Sequence, residues 1–203
     1  MTDIDSLRQE FVSVCQRSFN LGLQKSTGGN ISVRINQDSF LVKPSGRSLV
    51  DLGPEHLLIC DADGRVITGE GRPTKEISSH LAIYQVRPEV VAVVHYHPPY
   101  ATGFAAAGRE IPLLTVHARR ILGRMPLLAP AGEGSQELID SLRQAFSETT
   151  VQAAILAQHG VIAAGGSLLH AQNLAELVEE SAQIAFVHTV LQTTAPSSSD
   201  IGR

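Results

Sequence analysis

Apolar residues recur at spacings of three and four through Ile4, Leu7, Phe11, Val14, Cys15 and Phe19, with Asp3 and Asp5 available as N-caps and Gly22 near the end. That period predicts an amphipathic helix over residues 4–21. From Ile31 to Lys43 the period changes to two, ISVRI and then SFLVK around Asn36-Gln37-Asp38, which predicts a hairpin with one buried face. Leu57–Cys60 and Arg65–Thr68 flank Asp61-Ala62-Asp63-Gly64 and predict a second hairpin. After the loop Gly69–Pro73, Thr74 can cap a helix running to Val86, with Ile77, Leu81 and Tyr84 on its inner stripe and Pro88 preventing continuation. Val90–His97 is a continuous β-branched run ending in His-Tyr-His, as expected of a strand buried on both faces.

A short Ala-rich helix is predicted after Pro98-Pro99, and further helices over 135–146 and 168–192, the last capped by Ser167. Ala153–Ala157 and Val161–Ala164 read as strands around Gln158-His159-Gly160. Strands and helices interleave without repeat or linker, which predicts one α/β domain over 1–192, followed by a mobile tail over 193–203.

Composition narrows the class. The 203 residues are 43% apolar and 18% charged, which excludes a chain disordered throughout. No apolar run approaches the roughly 18 residues of a membrane span. Met1–Asp5 is acidic and lacks the basic and apolar regions of a secretion signal, so a cytoplasmic protein with no membrane partner is expected. A net charge of −4 without a basic block argues against nucleic acid as a partner. Cys15 and Cys60 lack metal-motif spacing and read as buried thiols. More distinctive are eight histidines, no tryptophan, and only three tyrosines, the last at position 100.

Residues i and i+2 of a strand share a face with Cα atoms roughly 6.6 Å apart, so His95 and His97 can point into one site while Tyr96 faces away. Such a pair can chelate a metal ion, and His159 is the candidate third ligand; the pair can equally be hydrogen-bonded core histidines. Gly160, which follows His159, would tolerate a close backbone approach or a positive φ. Glu76 is placed in the first turn of a helix, where the helix dipole favours a carboxylate with or without a function. The segments Thr27–Asn30, Pro44–Gly46 and Thr74-Lys75 offer backbone N–H groups and short donors that can surround a phosphate, or are simply turns. No GxGxxG or GKS/T pattern supports nucleotide binding.

Taken together, Thr27-Gly28-Gly29-Asn30-Ile31-Ser32, Lys43-Pro44-Ser45-Gly46, Pro73-Thr74-Lys75-Glu76, Ala92–His97 and Gln158-His159-Gly160 resemble the class II aldolase/adducin-head family over about residues 7–190. The interval of 19 from Glu76 to His95, the pair two apart, and the gap of 62 to His159 make the set specific. The resemblance implies a three-layer α/β/α fold around a mixed, largely antiparallel sheet, assembled as a four-fold homotetramer with active sites between subunits. It implies zinc, or else manganese or cobalt, on His95, His97 and His159. Glu76 would be the acid/base and can ligate the empty metal, while Gly29, Asn30, Ser45, Gly46 and Thr74 would bind substrate phosphate. The reaction implied is carbon–carbon cleavage of a phosphorylated keto-sugar or sugar acid through a metal-stabilised enediolate. The alternatives are decarboxylation of a 3-oxo-tetronate-4-phosphate-like acid, dehydration or epimerisation, or a non-enzymatic interaction domain.

Two departures bear on that choice. Lys75 stands where the sugar-phosphate aldolases look to have serine and resembles the decarboxylase group; its cation can meet phosphate, a substrate carboxylate, or water. Fuculose-phosphate aldolase-like enzymes use further tyrosines as proton donors, one of them in the C-terminal tail, and this chain has none after Tyr100. His117, where the decarboxylase-like pattern has tyrosine, can donate a proton in its place or be a surface histidine beside Arg119 and Arg120.

Overall fold

A computed structural model describes residues 3–194. Among them, eight strands form one sheet: β1 (Asn30–Arg34), β2 (Ser39–Val42), β3 (Leu58–Asp61), β4 (Val66–Thr68), β5 (Ala92–Tyr96), β6 (Leu127–Leu128), β7 (Ala153–Leu156) and β8 (Gly160–Gly165). Their order is β4-β3-β2-β1-β5-β8-β7-β6, antiparallel throughout except for the β6–β7 pair. Helices cover both faces, giving the three-layer mixed α/β fold expected.

One face carries α1 (Ile4–Asn20), α3 (Pro99–Ala106), α4 (Val116–Leu122) and α6 (Leu168–Thr194). Phe11 and Cys15 of α1, Ala101 of α3, Leu122 of α4 and Leu174 and Val178 of α6 share a core there with Ile31, Val94 and Tyr96 of the sheet. The other face carries α2 (Ile77–Val86) and α5 (Gln136–Phe146), whose Ile83, Leu142 and Phe146 pack on Val42, Val93 and Ile162. The alternation of a strand explains the division: Val94 and Tyr96 serve one core, Val93 and His95 face the other. Tyr96 reaches between α1 and α6, its hydroxyl donating to Gln172 Oε1 at 2.8 Å and accepting from Ser18 at 2.9 Å.

Four details differ from the sequence reading. Helix α4 is an addition, capped by Thr115, whose hydroxyl oxygen accepts the Ala118 N–H at 3.1 Å. Strand β6 is also an addition, only two residues long and paired in parallel with β7. Helix α2 starts at Ile77, so Glu76 occupies its N-cap position rather than its first turn, and Thr74 accepts the Glu76 N–H at 3.3 Å from just outside the helix. Helix α6 continues through Thr194; the rest of the expected tail lies outside the described residues.

The register fixes where chemistry gathers. Both sheet neighbours of β5 run antiparallel to it, Asn30 pairing with His95 and Val161 with Tyr96. The end of β5 therefore meets the beginnings of β1 and β8, and the loops preceding those strands converge at one end of the sheet's central strands.

Candidate active site

His95 is the penultimate residue of β5 and His97 follows just past its end; their Nε2 atoms lie 3.0 Å apart. His159 enters from the β7–β8 turn, and the three histidines bring ligand nitrogens within 4.8 Å of one another. That close turn needs Gly160, because a Cβ there would stand 2.5 Å from the Tyr96 carbonyl oxygen and 2.6 Å from the His97 ring. The positive φ falls two places earlier than the glycine, on Gln158 at 60°, whose N–H is tied to the Ala105 carbonyl at 2.9 Å. Gln158, directly before His159, thus carries backbone strain that the surrounding structure must hold in place.

The donor set fits a divalent ion. His95 Nδ1 lies 2.9 Å from the Val161 carbonyl oxygen, which can only accept, so the ring proton is on Nδ1 and the Nε2 lone pair faces the cluster. Burial, and then the neighbouring rings of His97 and His159, hold the His95 pKa well below its usual value. Burial, then His159, likewise lowers that of His97. Neutral imidazoles are the form that binds metal. Nε2 of His159 is buried without a hydrogen-bond partner. A tetrahedral ion with bonds of about 2.1 Å separates its ligand nitrogens by roughly 3.4 Å, a spacing these rings can adopt.

Glu76 lies against this cluster. Its Oε2 accepts the Asn30 amide N–H at 2.7 Å and stands 3.4 Å from His95 Nε2, while Oε1 is 3.6 Å from His159 Nε2. The carboxylate is buried, with its side chain 10% exposed. Asn30 therefore has two roles, pairing with β5 through its backbone and aiming Glu76 through its side chain.

A cavity of about 130 Å³ opens beside Glu76 and His97, lined by Gly29, Asn30, Ser45, Gly46, Thr74 and Lys75. All six residues predicted for phosphate thus surround one space. Gly29 and Gly46 hold φ of 64° and 77°, the left-handed backbone of anion-cradling turns.

Three neighbours were given no role from the sequence, although Lys43 stands in the Lys43-Pro44-Ser45-Gly46 motif. Lys43 is almost fully buried, its ammonium donating to the Thr27 carbonyl at 3.1 Å, and burial lowers its pKa. The signal was a lysine closing an apolar strand pattern, SFLVK. Gln24 accepts the His97 N–H at 2.9 Å and packs so closely beneath Gly28 and Gly29 that a Cβ on either would meet it at 2.7 Å. Glu133, from the loop before α5, places Oε1 3.9 Å from His159 Nε2. His117 is not brought to the cluster: it lies on α4 and lines a different cavity with Leu23, Glu176 and Glu179.

Comparison with known proteins agrees with this geometry. The family model described as "Class II Aldolase and Adducin N-terminal domain" matches residues 9–186. A 5-deoxy-D-ribulose 1-phosphate aldolase of Bacillus thuringiensis is 35% identical, the match covering 88% of this chain and 84% of that protein. A 3-oxo-tetronate 4-phosphate decarboxylase of Escherichia coli is 30% identical over 90% of this chain and 87% of its own. The crystal structure of an L-fuculose-1-phosphate aldolase from Thermus thermophilus superposes with a TM-score of 0.82 at 32% identity, covering 94% of this chain and 98% of that one.

Proposed function

The chain belongs to the class II aldolase and adducin N-terminal domain family, and from that premise we propose that it is a divalent-metal-dependent carbon–carbon lyase of phosphorylated ketoses. The observation that carries the reading is Glu76: a buried carboxylate set by Asn30 between His95 and His159, on the wall of a cavity ringed by phosphate-cradling loops.

His95, His97 and His159 would hold the ion, zinc first and manganese or cobalt as substitutes. Bound there, it supplies a Lewis acid for oxygens on adjacent substrate carbons. Gly29, Asn30, Ser45, Gly46, Thr74 and Lys75 bind the phosphate and so fix which carbons face the histidines. Lys43 holds the Thr27 carbonyl and with it the shape of that loop. In retro-aldol cleavage the Glu76 carboxylate takes the proton of a substrate hydroxyl, the adjacent carbon–carbon bond breaks to give an aldehyde, and the bonding pair stays with the ketone fragment. Glu76 then delivers a proton to that carbon. The same carboxylate would protonate carbon after loss of carbon dioxide, and one relative's name and Lys75 keep that second reading in view. His117, remote from the histidine cluster of its own chain, would serve a neighbouring subunit's site in a homotetramer. Among the described residues no helix is long and apolar enough to cross a membrane; a cytoplasmic location completes the proposal.

The test is a panel of phosphorylated ketoses and 3-oxo acids with zinc, manganese or cobalt, reading aldehyde, carbon dioxide and water loss separately. Aldehyde release that is abolished by Glu76→Gln, with metal content unchanged, supports the reading. A Glu76→Gln enzyme with an unaltered rate refutes the role assigned to Glu76.

A further inference from the structure

The proposed site is electrically polar. Its phosphate end carries Lys43 and Lys75. Beyond His159 a second cavity, of about 460 Å³, is lined by Pro130, Ala131, Glu133, Glu137, Gln158 and His159, among others, and no lysine or arginine lines it. Glu133 lines both cavities, and its Oε1 stands 3.9 Å from His159 Nε2. A substrate anchored by its phosphate and reacting beside the histidines would extend its remote end past His159 and Glu133 towards this second space.

We propose that Glu133, reinforced by Glu137, selects substrates whose remote end is uncharged and turns away those ending in a carboxylate. This rests on the phosphate-end assignment of the proposed function and names its substrate class: a ketose phosphate with a hydroxyl or alkyl terminus, cleaved as an aldol. A 3-oxo acid phosphate would bring its carboxylate against two others. Hydroxyls, by contrast, find acceptors in both carboxylates and a two-way partner in the Gln158 amide. Lys75 shares the phosphate-side cavity with Ser45, Gly46, Thr74 and Glu133 but does not line the second cavity. Glu133 has its side chain 60% exposed, so the effect is screened and salt-dependent rather than absolute. A unit charge about 7 Å away at an effective dielectric between 40 and 80 still changes affinity roughly three- to tenfold.

The probes are ribitol 5-phosphate and ribonate 5-phosphate, five-carbon chains that differ only in an alcohol or a carboxylate at the end remote from phosphate. Neither has a ketone to cleave, so calorimetric titration of the manganese-loaded full chain reads charge preference without turnover. Wild type should bind the ribitol phosphate roughly three- to tenfold more tightly. Glu133→Gln should narrow that ratio, Glu133→Lys should invert it, and raising salt should shrink it in wild type. A ratio unmoved by both substitutions, or a wild-type preference for the ribonate phosphate, overturns the proposal while leaving the lyase reading intact. Failure of both probes to bind, or binding that inorganic phosphate does not compete, overturns the phosphate-site assignment and the proposal with it.

Discussion

At the scale of single residues, the site depends on side chains whose role is to hold others. Asn30 donates to Glu76 Oε2 at 2.7 Å while its own Oδ1 is buried without a partner. Asn30→Ala removes the donor and lets the carboxylate turn; kcat should fall roughly 10- to 100-fold, as when an outer-shell partner of a site is lost. The check is steady-state kinetics with metal content measured in parallel, which should stay at one ion per chain. His80, one helical turn beyond Glu76, shares a 2.7 Å hydrogen bond with Ser32 and is fully buried, which pushes its pKa down to about 3. The folded state therefore refuses a proton that the unfolded chain accepts near pH 6.5. The sign follows: stability is intact above that value and is lost as pH falls from about 6.5 towards 3, by about 1 kcal/mol per pH unit from His80 alone. Urea midpoints between pH 7 and 4 should fall accordingly, and His80→Gln should flatten the curve; an equal slope in the variant would remove His80 as its source.

At the scale of elements, periodicity sufficed where burial is one-sided or complete. Helix α5 buries Leu138, Leu142 and Phe146 at intervals of four, and β5 is buried on both faces, so both were legible in the sequence. Helix α4 was not, because Val116 is 75% exposed and Arg119 and Arg120 break the stripe; its cap, Thr115, was the only local sign. Strand β6 exists through non-local pairing with β7, which no short pattern encodes. Of the site, the histidine spacing was legible because a strand puts i and i+2 on one face. Glu133 was not, since only tertiary packing brings its loop to His159. The β7–β8 turn supplies the element-scale prediction. Gly160→Ala would place a methyl group 2.5 Å from the Tyr96 carbonyl, costing about 1–3 kcal/mol by overpacking. The denaturation midpoint should drop with the slope unchanged, and metal affinity should fall too, because the strain is relieved by moving His97 or His159.

At the scale of the whole molecule, His117 lines a cavity other than the one beside the histidine cluster, so the proposed part of His117 in catalysis requires a second copy of the chain. His95, His97, His159 and Glu76 gather at one end of the central strands, whereas His117 lines a cavity against α6. The outer end of α6 exposes Phe186, Val187 and Leu191, with Tyr100 of α3 stacked edge-on against Phe186 at 5.5 Å between centroids. Contiguous apolar surface of this kind is what a further copy of the chain would cover. If His117 donates its proton in a neighbour's site, His117→Ala and Glu76→Gln are defects on opposite sides of one interface. Each homo-oligomer should then be impaired, but unfolding and refolding an equal mixture should restore sites that pair the intact Glu76 of one chain with the intact His117 of the next. In a four-membered ring with random mixing, about a quarter of the sites would be whole, so activity should return to roughly that fraction of wild type. The measurement is the rate of the refolded mixture against the same proteins refolded apart. Equal rates would place both residues in one subunit's site or leave His117 outside the chemistry, and would return the missing proton donor to the residues around Glu76.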